Sequence, residues 1–235
     1  MNLQSNDIAA LVSYLSDFVT AERLEKFQDN IEKRTKHITV VLEDIFQSHN
    51  ISAVLRSCEC FGVQDVHVID KNDFFEINSE IELGSSKWLS IKHYNKKKKN
   101  NTINCLQSLK NEGYKIIATT PHIDDYNLDD IDINDKTALV FGTELQGLSD
   151  EAKAMADAYM KIPMYGFTES FNISVTVALC IHYLTKKIRE SSVKWQLSQD
   201  EKNEVLLQWF EKSIKNSEMI IERFHENSKL DNFIE

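Results

Sequence analysis

At 235 residues, with 42% hydrophobic and 27% charged positions, the chain has the composition of a soluble globular protein and the length for one large α/β domain with extensions or for two small domains. No apolar run approaches the roughly 18 residues of a membrane span, and the first thirty residues carry acids throughout, unlike a secretion signal, so the sequence reads as cytoplasmic with no membrane partner. A net charge of −10 argues against nucleic acid, but residues 1–117 hold 15 Lys and Arg against 16 Asp and Glu, while residues 118–235 hold 12 against 21, so the acid lies mostly in the second half.

In chain order, residues 7–34 space Leu11, Leu15, Phe18, Leu24 and Phe27 among charges, which predicts one or two short helices before the main domain. ITVVLEDI (38–45) is short and β-branched, a helix over 50–61 follows, and VQDVHVI (63–69) is β-branched again, a βαβ start. On that helix, at about 100° per residue, Ile51, Val54, Leu55, Cys58 and Phe61 share one side, and Arg56 falls opposite, near Ser52 and Cys60. Asn50 is a good N-cap and Gly62 a good stop, so the plain reading makes Arg56 a solvated surface residue. A looser stretch with the run KKKK (96–99), itself readable as a solvated loop, leads to INCLQSLKNEGYKIIAT (103–119), a helix closed at Gly113 and a strand at 114–118.

A strand TALVF (137–141), a capped helix from Ser149, a strand near YMKI (159–162) and a long helix over about 171–189 continue the alternation. This predicts an α/β fold, a mainly parallel sheet with helices on both faces. Beyond Arg189 a polar stretch leads to a helix-like segment, EVLLQWFEKSI, and a charged tail. The expected organisation is an N-terminal helical extension (1–35), a central domain (36–190) and a C-terminal helical extension (191–235).

Four cysteines, at 58, 60, 105 and 180, fit neither a disulfide framework nor a paired zinc site, and the seven histidines show no HExxH spacing, so no metal site is expected. Turn-forming residues are concentrated: Gly142, Gly147, Gly166 and Pro163 all follow two strand ends, where ligands bind in parallel α/β sheets. GTELQG (142–147) starts like a phosphate loop, but Leu-Ser follows in place of Lys-Ser/Thr, and no GxGxxG occurs. Taken singly, Glu144 reads as a turn acid, and Glu169, Ser170 and Asn172 read as capping residues for the long helix.

Taken together, three stretches in fixed order match one family. HNISAVLRSCECFGV, LVFGTELQGLSDEA and IPMYGFTESFNISVTVAL resemble the three motifs of the SpoU (TrmH) branch of the SPOUT RNA 2′-O-methyltransferases, over about residues 36–190. Within it, KHITVVLEDIFQSHN and the short helical flanks most resemble the tRNA enzymes that methylate the ribose of guanosine 18 in the D-loop. The alternatives are the same transfer on ribosomal RNA and a non-catalytic RNA-binding protein of the same fold; the joint presence of the motif residues disfavours the latter.

The resemblance implies a C-terminal deep trefoil knot, S-adenosylmethionine as cofactor, a tRNA substrate and a homodimer with its site at the subunit interface. Carried over by motif, the catalytic set is Arg56, Asn50, Glu144, Ser170 and Asn172, and the cofactor set is Thr119, Gly142, Ile162, Met164 and Phe171. Two departures alter the pocket wall: Phe171 replaces a usual leucine and Thr168 a common aliphatic. Because a guanidinium is a poor proton acceptor, Arg56 is expected to hold phosphate or to stabilise a developing alkoxide, and to act as the base only if strongly perturbed. From the charge distribution, RNA contacts are expected from Arg23, Lys33, Arg34 and Lys36, with the 96–99 lysines as further candidates.

Overall fold

The structure is a computed structural model that describes residues 5–70, 75–96, 100–120, 125–144 and 146–231. It divides into two compact units, residues 35–195 and the two chain ends together, up to Arg34 and from Gln196 onward.

The unit formed by the chain ends is helical: α1 (Ser5–Ser16), α2 (Ala21–Ile31), α8 (Gln199–Ser213) and α9 (Ser217–Asp231). Its apolar positions recur at helical spacing, and Leu11, Leu15, Phe27, Ile31, Val205, Trp209 and Phe210 are buried. Phe27 packs its ring against Trp209 and Phe210, with centroids 5.4 and 5.3 Å away.

The larger unit is built on a seven-stranded sheet. Its strands are β1 (Ile38–Glu43), β2 (Asp65–Ile69), β3 (Ser90–Tyr94), β4 (Lys115–Thr119), β5 (Tyr126–Asn127), β6 (Thr137–Phe141) and β7 (Ala158–Lys161), in the order β3-β2-β1-β6-β4-β7-β5. All six pairings between them are parallel, with Val40 aligned to Val66 on one side and Leu139 on the other. The helices are α3 (Ser48–Phe61), α4 (Ser79–Glu82), α5 (Asn101–Asn111), α6 (Asp150–Met155) and α7 (Ile173–Arg189).

Alternation along the central strands explains the layering. Ile38, Val40, Leu42, Leu139 and Phe141 join one core with Val54, Leu55 and Cys58 of α3 and Val177, Ile181 and Leu184 of α7. Val41, Ala138 and Val140 join a second core with Cys105, Leu106 and Leu109 of α5 and Ala152 of α6. Both faces are therefore covered, and every position of β1 and β6 is buried, which is why they are mostly apolar rather than alternating. Three of the four cysteines are buried, and burial pushes the Cys105 and Cys180 thiols up to about 12.

Three sequence expectations change. Asn50 does not cap α3: the helix starts at Ser48, Gln47 holds the cap position, and Asn50 is buried with its amide engaged elsewhere. Gly62 does end it, at φ 76°. The looser stretch contains β3, and the stretch between the strands at 115–119 and 137–141 contains β5; both are edge strands whose exposed, polar positions hide the strand pattern. Ser52, expected beside solvated Arg56, is fully buried.

Candidate functional site

The chain leaves β1 for β2 and β3 on one side, then returns for β4 on the other, and β6 fills the gap between β1 and β4. A crevice at the carboxyl ends of the strands follows from that reversal. A cleft of about 350 Å³ lies there, lined by the ends of β4 and β7, residues 142–144 and 146–148, and the loop from Ile162 to Phe171. Thr119, Gly142, Ile162, Met164 and Phe171 all line it, as do Glu144, Glu169 and Ser170. A second hollow continues from it around Pro163, Tyr165 and Thr168.

The glycine turn has a specific packing reason. Thr143 and Gly147 pair through two backbone bonds, Thr143 N–H to Gly147 O at 3.1 Å and Gly147 N–H to Thr143 O at 3.0 Å. A Cβ on Gly142 would stand 2.3 Å from the Gly147 carbonyl carbon and oxygen and 2.5 Å from Leu148 N, all backbone. The close approach that requires glycine at 142 is thus made by the chain's own turn. Thr143 Oγ1 also accepts the Gln146 N–H at 3.0 Å, so the turn does not need Glu144 to close it.

Glu144 instead reaches across to the start of α7. Its Oε1 accepts Asn172 Nδ2 at 2.9 Å, the Ile173 backbone N–H at 3.3 Å and Asn50 Nδ2 at 3.4 Å. Asn172 Nδ2 also donates to Asn50 Oδ1 at 3.0 Å, and the Asn50 amide donates to Gln47 Oε1. At its other end, Asn172 Oδ1 accepts the Ser174 N–H at 2.9 Å and the Ser174 hydroxyl at 2.6 Å. Asn172 is therefore both the N-cap of α7 and the bridge between Glu144 and Asn50. An aspartate would cap equally well but would set a carboxylate against Glu144.

Asn50, Glu144 and Asn172 come from three separate segments, and the structure brings them together. Ser170 lines the cleft beside them, so of the three residues read as caps only Asn172 caps. Sequence reasoning did not single out Gln47, three residues before Asn50, or Lys153 and Lys161, two cations on the cleft wall. Lys161 could have been found from its place at a strand's carboxyl end.

Arg56 is not brought into this cluster. It is exposed on α3, outside the cleft lining, and its Nη1 donates to the Ile81 carbonyl at 3.3 Å. Of the expected RNA contacts, Arg23 and Lys33 are exposed and Lys36 is half-buried. Arg34 is a correction: it is 3% exposed, with its guanidinium over the Trp209 ring at 5.3 Å, because the terminal helical unit uses it as a packing residue. Lys96 is exposed, and residues 97–99 lie outside the described residues. Among the described residues no group of three or more His, Cys, Asp or Glu is placed to hold a metal ion, and no helix is long and apolar enough to cross a membrane.

Comparison with known proteins places this geometry in a family. The SpoU rRNA Methylase family model matches residues 37–182. A tRNA (guanosine(18)-2′-O)-methyltransferase of Borreliella burgdorferi is 41% identical over 215 residues, 92% of this chain and 96% of that protein. The crystal structure of the Aquifex aeolicus TrmH/SpoU tRNA modifying enzyme superposes with a TM-score of 0.74 at 30% identity, covering 83% of this chain and 98% of that one. The fold is also that of the SpoU methyltransferase AviRb of Streptomyces viridochromogenes, crystallised with AdoMet, at a TM-score of 0.55 and 21% identity over 69% of this chain and 62% of that one.

Proposed function

This chain belongs to the SpoU rRNA Methylase family, and from that premise we propose that it is a cytoplasmic, S-adenosylmethionine-dependent tRNA 2′-O-methyltransferase acting on the ribose of guanosine 18. The observation that carries this is the joint placement of the motif residues: five cofactor candidates lining one cleft, with Glu144, Asn50 and Asn172 hydrogen-bonded at its edge. The names of relatives such as the Borreliella burgdorferi enzyme support tRNA as the substrate. The fold reading extends to a deep trefoil knot near the C-terminal end of the domain, an exception to the rule that chains do not thread.

The cleft suits the cofactor chemically. Glu144, Glu169, Lys153 and Lys161 all border it, so the cleft carries side chains of both charge signs, as a ligand with both a cationic centre and a carboxylate requires. S-adenosylmethionine, when bound, supplies a methyl group activated by a positively charged sulfur. The chain's own task is then to align the ribose O2′ and to stabilise charge on it as its proton passes to water. Arg56 is assigned the second role, as a fixed cation beside the developing oxyanion. Asn50 and Asn172, locked to Glu144, and Ser170 hold the loops around it in one arrangement.

A site completed across a homodimer is part of the same proposal. Arg56 stands outside its own cleft lining, and Val175 and Leu179 on α7, with Phe171 just ahead of the helix, are exposed apolar residues, each about two-fifths accessible. RNA contacts are assigned to Arg23, Lys33, Lys36 and Lys96. Calorimetric titration with S-adenosylhomocysteine tests the cofactor assignment. We expect one site per subunit with micromolar or tighter affinity, and no heat with NAD or ATP. Binding of either nucleotide in place of S-adenosylhomocysteine would remove the premise for methyl transfer.

A further inference from the structure

The side of α3 that carries Arg56 is covered by a short turn. Ser52, one helical turn before Arg56, is completely buried, and its hydroxyl accepts the Asn78 backbone N–H at 2.7 Å. Asn78 organises the turn: its Oδ1 accepts the Glu80 N–H at 3.0 Å, and its carbonyl accepts the N–H groups of Ile81 and Glu82 at 3.1 Å each. Leu83 and Gly84 then both adopt left-handed backbone, at φ 51° and 81°, and the Glu82 carboxylate accepts the Ser86 N–H at 2.8 Å. Leu83 is a non-glycine residue in a region such residues seldom occupy. The Ile81 carbonyl, within this turn, accepts Arg56 Nη1 at 3.3 Å.

Resting on the assignment of Arg56 to the reacting oxygen, we infer that Ser52 is a positioning residue for this reaction: it anchors the turn Asn78–Gly84, and the turn's Ile81 carbonyl holds the Arg56 guanidinium in its working direction. An exposed arginine on a helix otherwise samples many rotamers. Accepting one of its five N–H donors fixes the plane of the fork and leaves the remaining donors for the substrate. The geometry explains why a buried hydroxyl sits on the polar side of α3, where the sequence suggests only a solvated face. Misplacement of a reacting group by about 1 Å costs on the order of a hundredfold in rate, so a loosened clamp has a measurable effect.

The test is single-turnover methylation of an unmodified tRNA transcript by Ser52→Ala, Leu83→Val, Arg56→Lys, Arg56→Ala and the Ser52→Ala/Arg56→Lys pair, with S-adenosylhomocysteine affinity measured for each. Ser52→Ala is expected to lower the rate about tenfold, while cofactor affinity and the tRNA concentration for half saturation stay within about twofold. Leu83→Val, which forces a β-branched residue out of left-handed backbone and displaces the turn from the other end, is expected to act in the same direction. In the Arg56→Lys background, where no fork remains to be held, Ser52→Ala is expected to cost less than about threefold. Equal losses in both backgrounds, the mark of a merely structural serine, would overturn the inference, as would Ser52→Ala at the parent rate. If Arg56→Lys and Arg56→Ala both react at the parent rate, the assignment of Arg56 fails. A slow Arg56→Ala beside an unaffected Ser52→Ala removes the positioning role alone.

Discussion

Arg56→Ala is expected to lower kcat for tRNA methylation by about a hundredfold or more, with S-adenosylhomocysteine affinity unchanged. The size follows from losing a fixed donor aimed at charge that develops only in the transition state. The folded state should barely notice. Arg56 is exposed, and the hydrogen bond it makes within the chain is the 3.3 Å contact with the Ile81 carbonyl, so stability is expected to move by about half a kcal/mol or less. Lysine keeps the charge and loses the planar fork, so Arg56→Lys should recover only part of the rate. Single-turnover kinetics beside calorimetry separates these quantities. An alanine variant at the parent rate would return Arg56 to the status of a solvated side chain.

Gly142→Ala should fail for a different reason, and by as much. The added methyl meets backbone at 2.3 and 2.5 Å, with no flexible side-chain end to move aside. Relief requires opening the Thr143–Gly147 pair, which forms the turn that presents Glu144 to Asn172. We expect destabilisation of about 3 kcal/mol and at least a tenfold loss of S-adenosylhomocysteine affinity, read by denaturant unfolding and calorimetry. Gly166→Ala is the control in the neighbouring loop, since a Cβ there meets nothing within 4 Å. The two damaging variants also test where the site lies. If Arg56 of one subunit serves the cleft of the other, mixing Arg56→Ala and Gly142→Ala subunits restores one intact site per mixed dimer. If each subunit works alone, the mixture stays inactive.

The central strands and the long helices were legible because their signals are local. TALVF is buried on both faces, Gly62 needs positive φ, and Ser149 caps α6 through its own hydroxyl, 3.1 Å from the Ala152 N–H. The edge strands were not: β3 is SIKHY, with lysine and histidine at exposed positions, and β5 is two residues long. Asn50 misled for a related reason. Its residue type suits a cap, but an amide that donates to Gln47 and Glu144 while accepting from Asn172 is committed to contacts 94 and 122 residues away. No periodicity records such contacts; the family resemblance did. Ser52 and Arg34 show the limit of reading faces from spacing, since a turn closes over one and an indole ring lies under the guanidinium of the other.

The most direct measurement is to incubate the purified protein with S-adenosylmethionine and unmodified transcripts of tRNA and ribosomal RNA, then to map 2′-O-methyl groups by nuclease digestion and mass spectrometry. One methyl group is expected, on the ribose of guanosine 18 in tRNA, and none when that nucleotide is supplied in its 2′-deoxy form. Methyl groups confined to ribosomal RNA, or absent from every transcript while RNA is bound, would contradict the assignment.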